Sequence, residues 1–342
     1  MPRISVCVPT YNRAHHLPDA IESILSQTYG DFELVVSDNA STDNTAEVLD
    51  RYRDPRMGIH RNAANLGLVG NFNRCLELAR TPYVILCCSD DYWAPQLLER
   101  EMGFMDQHPG VTYLHTGSIV VSTDKRAVAP NILPLDPVTP GRQYLTRFLL
   151  EDLNGTNFSS ALYPTRLLRD AGGFDPRLPH TQDLAVWARM ALRGDVGYIA
   201  EPLVYFRKHA DNYHVRWQWP EYLKERLRLL EHVFGWREAL DPNLQRFRSP
   251  ILRATVERIL DAFVAMRLDG VGPGALADVL FQCLRRNPGA LLAGRSARAT
   301  AAVLLSPSAL RYMIRHWGQD NRKLRAAGGT DMRGEFPVSP GK

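Results

Sequence analysis

The chain has 342 residues, 45% apolar and 23% charged, the make-up of an ordinary globular protein with enough apolar residues for one large domain plus an appendage, or for two domains. A net charge of +4 is too small to argue for nucleic acid as a partner. The cysteines (Cys7, Cys75, Cys87, Cys88 and Cys283) have neither disulfide-framework nor zinc-site spacing, which excludes a secreted disulfide scaffold and points to the cytoplasm.

In chain order, Met1-Pro2-Arg3 leads directly into a β run, Ile4 to Val8, stopped by Pro9, so no signal peptide is expected. Leu17, Ile21, Ile24 and Leu25 share one face of a helix from Leu17 to Gln27. Phe32 to Ser37 reads as a strand, Asp43 to Arg53 as a helix capped by Ser41 or Thr42, and Gly58 to Arg61 as a third strand. A helix over Leu68 to Arg80 places Phe72, Cys75, Leu76 and Ala79 on one face. After the Thr81-Pro82 break, Tyr83 to Cys88 is continuously apolar, the pattern of a strand buried on both faces, and Ala94 to His108 is the next helix. This alternation predicts an α/β fold, a mainly parallel sheet flanked by helices.

The pattern changes at Val111 to Val121, which reads as strand pairing without a crossover helix. Residues 122–140 carry Pro130, Pro134, Pro137 and Pro140 and read as a loop or domain seam. Then follow a helix (Gly141 to Leu150), a strand (Phe158 to Tyr163), a short helix (Thr165 to Ala171), a Gly172-Gly173 turn, a helix (Gln182 to Arg193) and strands near Tyr198 and at Val204 to Arg207. From about Trp219 only helical patterns remain: Tyr222 to Phe234, Pro250 to Leu268, Gly274 to Arg286 and Ala290 to Trp317. The uncharged run Ala299 to Leu310 is about half of the ~20 residues that cross a bilayer. The tail 326–342 is expected to be disordered.

Six constellations could carry chemistry. Val8-Pro9-Thr10-Tyr11-Asn12-Arg13 and Ser37-Asp38-Asn39-Ala40-Ser41-Thr42-Asp43 follow the first two strands, where open α/β sheets bind ligands. A carboxylate such as Asp38 suits the imide N–H of a pyrimidine base, although ordinary turn and cap chemistry uses the same residues. Asn65-Leu66-Gly67 opens a helix. Ser89-Asp90-Asp91, at the end of the buried strand, is costly there unless it holds a cation or faces a solvated cleft, and Mg²⁺ or Mn²⁺ commonly bridges such acids to a diphosphate. Asp183, in a first helical turn, is either a general base or a favourable N-terminal acid. In Tyr205-Phe206-Arg207-Lys208-His209, His209 could ligate the same metal and Arg207 or Lys208 could face phosphate. There is no G-x-G-x-x-G after the first strand and no P-loop.

Taken in order, with Gly172-Gly173-Phe174-Asp175 and Gln182-Asp183-Leu184, these motifs resemble the family 2 glycosyltransferases, inverting nucleotide-sugar enzymes of GT-A (Rossmann-like) fold, from Ile4 to about Asn212. The resemblance implies a GT-A catalytic domain over 1–215, with a nucleotide-binding half (1–110) and an acceptor half (111–215), followed by a helical C-terminal region (216–325). It implies a donor site of Pro9, Thr10, Tyr11, Arg13, Asp38, Asn65, Gly67, Ser89 and Asp91. It also implies a divalent cation, Mn²⁺ or Mg²⁺, at Asp90 and His209, and Asp183 as catalytic base. Donors would be UDP- or dTDP-sugars. Acceptors would be saccharides, lipid-linked or small molecules, in bacterial-type polysaccharide or glycoconjugate synthesis. Two positions depart from the family: Cys88 replaces the first acid of Asp-Ser-Asp-Asp, and Gln182 replaces the Glu of Glu-Asp. A nucleotide-sugar-binding protein without catalysis and a nucleotidyltransferase are the alternative readings.

The stretch 283–325 is basic, with Arg285, Arg286, Arg295, Arg298, Arg311, Arg315, Arg322, Lys323 and Arg325 against one acid, Asp320. Interleaved apolar residues suit a peripheral contact with the inner face of the cell membrane. Helix packing on the catalytic domain, or on a second subunit in a homodimer, is the alternative.

Overall fold

A computed structural model describes residues 2–151, 158–209, 219–287 and 294–309. The expected disordered tail, residues 290–293 and 310–317 of the last expected helix and much of the basic stretch 283–325 lie outside the described residues. The chain divides into two units, Met1–Ala210 with Gly235–Leu244, and Asp211–Phe234 with Gln245–Lys342.

The first unit is built on β1 (Ile4–Thr10), α1 (Leu17–Leu25), β2 (Phe32–Asp38), α2 (Thr45–Leu49), β3 (Met57–Arg61), α3 (Gly67–Leu78), β4 (Tyr83–Leu86), β5 (Tyr92–Trp93) and α4 (Leu97–Gln107). It continues with β6 (Val111–Val121), β7 (Ala127–Asn131), β8 (Val138–Thr139), α5 (Gly141–Glu151), β9 (Leu162–Pro164), α6 (Thr165–Asp170), α7 (Gln182–Ala191) and β10 (Asp195–Arg207). Ten strands form one mixed sheet in the order β3-β2-β1-β4-β9-β6-β10-β5, with β7 on β6 and β8 on β10. β3, β2, β1 and β4 are mutually parallel. β9 runs antiparallel to both β4 and β6, and β6 and β10 are parallel again.

Every residue of β1 is buried, because β2 and β4 flank it and helices cover both faces. Ile4, Val6, Val8, Leu34, Val36 and Ile85 join Leu17, Ile21 and Ile24 of α1 in one core. Each such side chain contributes about 1.5–3 kcal/mol of burial. The register Thr10↔Asp38 and the hydrogen bond from the Cys87 N–H to the Cys7 carbonyl bring the carboxyl ends of β1, β2 and β4 to one edge. That edge carries the first, second and fourth motifs.

The second unit holds α8 (Trp219–Gly235, ending at its border), α10 (Arg248–Leu268), α11 (Pro273–Arg286) and α12 (Gly294–Leu304), while α9 (Pro242–Gln245) lies in the first unit up to Leu244. Leu227, Val256, Ile259, Phe263, Leu276, Val279 and Cys283 form its core. Among the described residues no helix is long and apolar enough to cross a membrane.

Candidate active site

Three loops at the strand ends are tied together by asparagines. Asn12, at φ +52°, accepts the Thr42 N–H (2.8 Å) through its side chain and donates its own N–H to Ser41 (3.0 Å). Asn39 donates to Asn65 Oδ1 (2.8 Å) and the Gly67 carbonyl (3.1 Å), and accepts from Asn62 (3.0 Å) and the Leu66 N–H (2.9 Å). Asn65 Oδ1 also accepts the Gly67 N–H (2.8 Å), and Gly67 takes φ +73°, a conformation glycine adopts without a Cβ penalty. Asn65 and Gly67 thus join the loop after β2 to the start of α3.

Asp38 is buried. One oxygen accepts the Ser41 N–H (3.0 Å), the other lies 3.3 Å from Arg61, and lone pairs remain for a further donor. Thr10 is buried beside it, its hydroxyl without a hydrogen-bond partner, an orphan polar atom at the end of β1. Pro9 is buried within β1, while Tyr11 is 41% exposed.

The Ser89-Asp90-Asp91 turn follows β4. Ser89 is buried. One ligand atom each from Cys88, Asp90 and Asp91 lies within 4.8 Å of the others, a span that ligands around one divalent ion can occupy. The two acids differ sharply. Asp91 is 1% exposed; it accepts the Ser159 hydroxyl (2.6 Å) and the Arg207 N–H (3.1 Å). Burial, then the charge of Asp90, pushes its pKa well above the carboxylate range. The Asp90 side chain is 16% exposed, 3.0 Å from His209 Nε2 and 3.9 Å from Arg13 Nε. Burial pushes Asp90 up, but the His209 hydrogen bond and the charges of His209 and Arg13 prevail and lower it. Two crowded carboxyls, one resisting ionisation, are what a bound cation relieves, so the oxygens of Asp90 and Asp91 fit a hard divalent ion, with Asp90 the less buried acid and the Cys88 thiol a softer neighbour.

Asp183 is the second residue of α7, half-buried, its carboxylate accepting the Leu184 N–H (2.8 Å). Its charge is felt at both Cys88 and Tyr163. Burial, then Asp91 and Asp90, and then Asp183 push the Cys88 thiol up; the Tyr163 phenol is raised by burial and also by Asp183. The base candidate therefore lies within electrostatic reach of the acid cluster. Gln182 is buried, its side-chain oxygen without a hydrogen-bond partner.

The fold corrects one expectation and adds residues no motif marked. Arg207 does not face phosphate: its guanidinium is buried and donates to His16 Nδ1 (2.8 Å) and Asp19 (2.6 Å). A guanidinium only donates, so His16 is the neutral tautomer with Nδ1 accepting. Burial, then His15, Arg207 and His209, push its pKa down to about 4. The His16 ring packs on His209 at 4.6 Å between centroids. Ser159, which also accepts the Cys88 N–H (3.0 Å), sits in a helical turn that the sequence reads as strand. None of these carried a pattern; only tertiary pairing reveals them.

Residues 5–170 match the family model "Glycosyl transferase family 2". EpsE of Bacillus subtilis (strain 168), a glycosyltransferase by name, is 30% identical over 251 residues, covering 59% of this chain and 88% of EpsE. The chain belongs to glycosyltransferase family 2. It is an enzyme of that class, and the nucleotidyltransferase reading drops away. Within the family, the Escherichia coli enzyme WfaP, named UDP-Glc:alpha-D-GlcNAc-diphosphoundecaprenol beta-1,3-glucosyltransferase, is 31% identical over 106 residues, covering 31% of this chain and 42% of WfaP. The fold matches Staphylococcus aureus TarS (residues 1–349), solved with UDP-GlcNAc, with a TM-score of 0.66 at 18% identity, covering 93% of this chain and 92% of that one. The sheet is thus a GT-A sheet, with C-terminal helices following it.

Proposed function

We propose that this family 2 enzyme transfers a sugar from a UDP- or dTDP-sugar to an acceptor hydroxyl by a single displacement with inversion at the anomeric carbon. The reading is supported by the Cys88–Asp90–Asp91 cluster after β4 and by Asp183 at the start of α7, whose charge is felt at Cys88. Thr10, Tyr11 and Asp38 bind and orient the nucleoside; Arg13 stands where it meets the diphosphate. Asp183 takes the proton of the acceptor hydroxyl as its oxygen attacks. One base suffices, since no covalent glycosyl-enzyme forms, in contrast to the two carboxylates of a glycosidase. Asp90 and His209 would hold Mn²⁺ or Mg²⁺, which when bound supplies Lewis-acid stabilisation of the diphosphate leaving group.

The acceptor class is a saccharide or a lipid-linked glycan in polysaccharide or glycoconjugate synthesis. Support comes from WfaP, whose name specifies a diphosphoundecaprenol-linked acceptor. The test is a transfer assay with Asp183→Asn. Nucleotide binding is expected to be unchanged, while kcat falls about a hundredfold to ten-thousandfold, the usual worth of a general base. An Asp183→Asn enzyme with wild-type turnover excludes Asp183 as the base.

A further inference from the structure

Arg207 is buried and reaches three parts of the site at once. Its backbone N–H holds Asp91 Oδ1 (3.1 Å). Its guanidinium is buried between His16 Nδ1 (2.8 Å) and Asp19 Oδ2 (2.6 Å), and lies 5.4 Å from the centroid of the Tyr92 ring. Asp19 takes a second cation, Lys125 (2.7 Å), from the turn between β6 and β7, and Lys125 stands 5.7 Å from the same Tyr92 ring. Tyr92 in turn stacks on Tyr205 at 4.7 Å, closing the network onto β10.

An isolated buried ion pair of this kind is weak evidence for stability, because desolvation offsets much of the attraction. Its geometry says more. α1, the β6–β7 turn, β5 and the end of β10 come from four distant stretches of chain, and the Asp19–Arg207 pair is the point they share. Two residues beyond Arg207 stands His209, 3.0 Å from Asp90 and packed on the His16 ring that Arg207 fixes in one tautomer. Both acids are therefore set from one residue: Asp91 through the Arg207 backbone, Asp90 through His16 and His209.

We propose that Arg207 is the positioning residue of the ion-binding acids, anchored by Asp19 and His16, and that its side chain acts on the reaction through His16 and His209 without touching substrate. This rests on the ion site proposed above. Lysine replaces two guanidinium nitrogens with one, so Asp19 and His16 lose the fixed spacing that the planar fork gives them. Partners one step removed from a metal typically change affinity or activity by about 10–100-fold when mutated.

The test measures Mn²⁺ affinity of the full chain by electron paramagnetic resonance without donor, with transfer kinetics and melting curves alongside. Arg207→Lys is expected to bind Mn²⁺ about 10–100-fold more weakly and to lose kcat while KM for the donor stays near wild type. His16→Phe, which keeps a ring against His209 but removes the acceptor nitrogen, is expected to move the same way and carries the test should Arg207→Lys fail to fold. Adding Arg207→Lys to His209→Ala should cost little further affinity, because the two act in series. Mn²⁺ affinity equal to wild type in folded Arg207→Lys or His16→Phe, with Asp90→Ala having lost it, overturns the proposal alone. A wild type that binds no Mn²⁺ overturns the ion site beneath it.

Discussion

Asp90 and Asp91 are neighbours in sequence and opposites in environment. One faces His209 and Arg13; the other is closed in by Ser159 and the Arg207 backbone. Ser159→Ala should therefore destabilise the protein by about 1–3 kcal/mol, the cost of leaving a buried acceptor short of a donor, read from urea midpoints; an unchanged midpoint would show that Asp91 finds another donor. Glu101 of α4 makes a separate prediction. It is fully buried, neither oxygen has a hydrogen-bond partner, and burial raises its pKa well above the usual range. The unfolded chain, at about 4.3, gives up this proton first as pH rises, so stability is lost from there upward until the folded pKa is reached. Glu101→Met removes that loss, and its stability advantage over wild type should grow as the pH rises above the unfolded pKa. An advantage independent of pH would place the Glu101 proton elsewhere. Asp38, Asp90, Asp183 and His209 are singled out as candidates by the sequence, since each ends a strand or opens a helix in a recognisable string. His16, Asp19 and Ser159 are not, because their importance lies in partners some 70 to 190 residues away.

The elements show the same division between local and distant information. β1, β2, β4 and α1 are legible because burial on both faces of the sheet, or on one face of a helix, imposes a pattern on the sequence. β7 was read as loop because Pro130 lies in it. The proline is tolerated because β7 is an edge strand, pairing among the described residues with β6 alone. β10 was read as two strands because Glu201-Pro202 interrupts it. In the fold it is one strand, whose register against β6 shifts around Pro202. β5 is too short to leave a pattern and exists only through its pairing with β10. The loops between these elements yield a further prediction. Asn39→Ala removes the side chain that joins the β2 loop to Asn62, Asn65, Leu66 and Gly67. Nucleotide affinity measured by calorimetry should fall, with kcat at saturating donor little changed. Undiminished affinity would mean that the loops hold without this link.

For the whole molecule, the family assignment fixes the chemistry of the class, and the two units divide the open questions. The catalytic unit carries every proposed site residue. In the C-terminal unit, the basic stretch 283–325 remains a proposal for peripheral membrane contact near a lipid-linked acceptor. Flotation with anionic liposomes should recover the full chain at low salt and lose it at high salt, and deleting 290–342 should abolish the effect. Binding that survives the deletion would move the contact elsewhere. The central claim is a single displacement at the anomeric carbon, and its most direct measurement is the anomeric configuration of the product. Once a thermal-shift screen has identified a donor, proton NMR of the transferred sugar should show configuration opposite to that in the donor. Retained configuration would contradict the single displacement and the role given to Asp183.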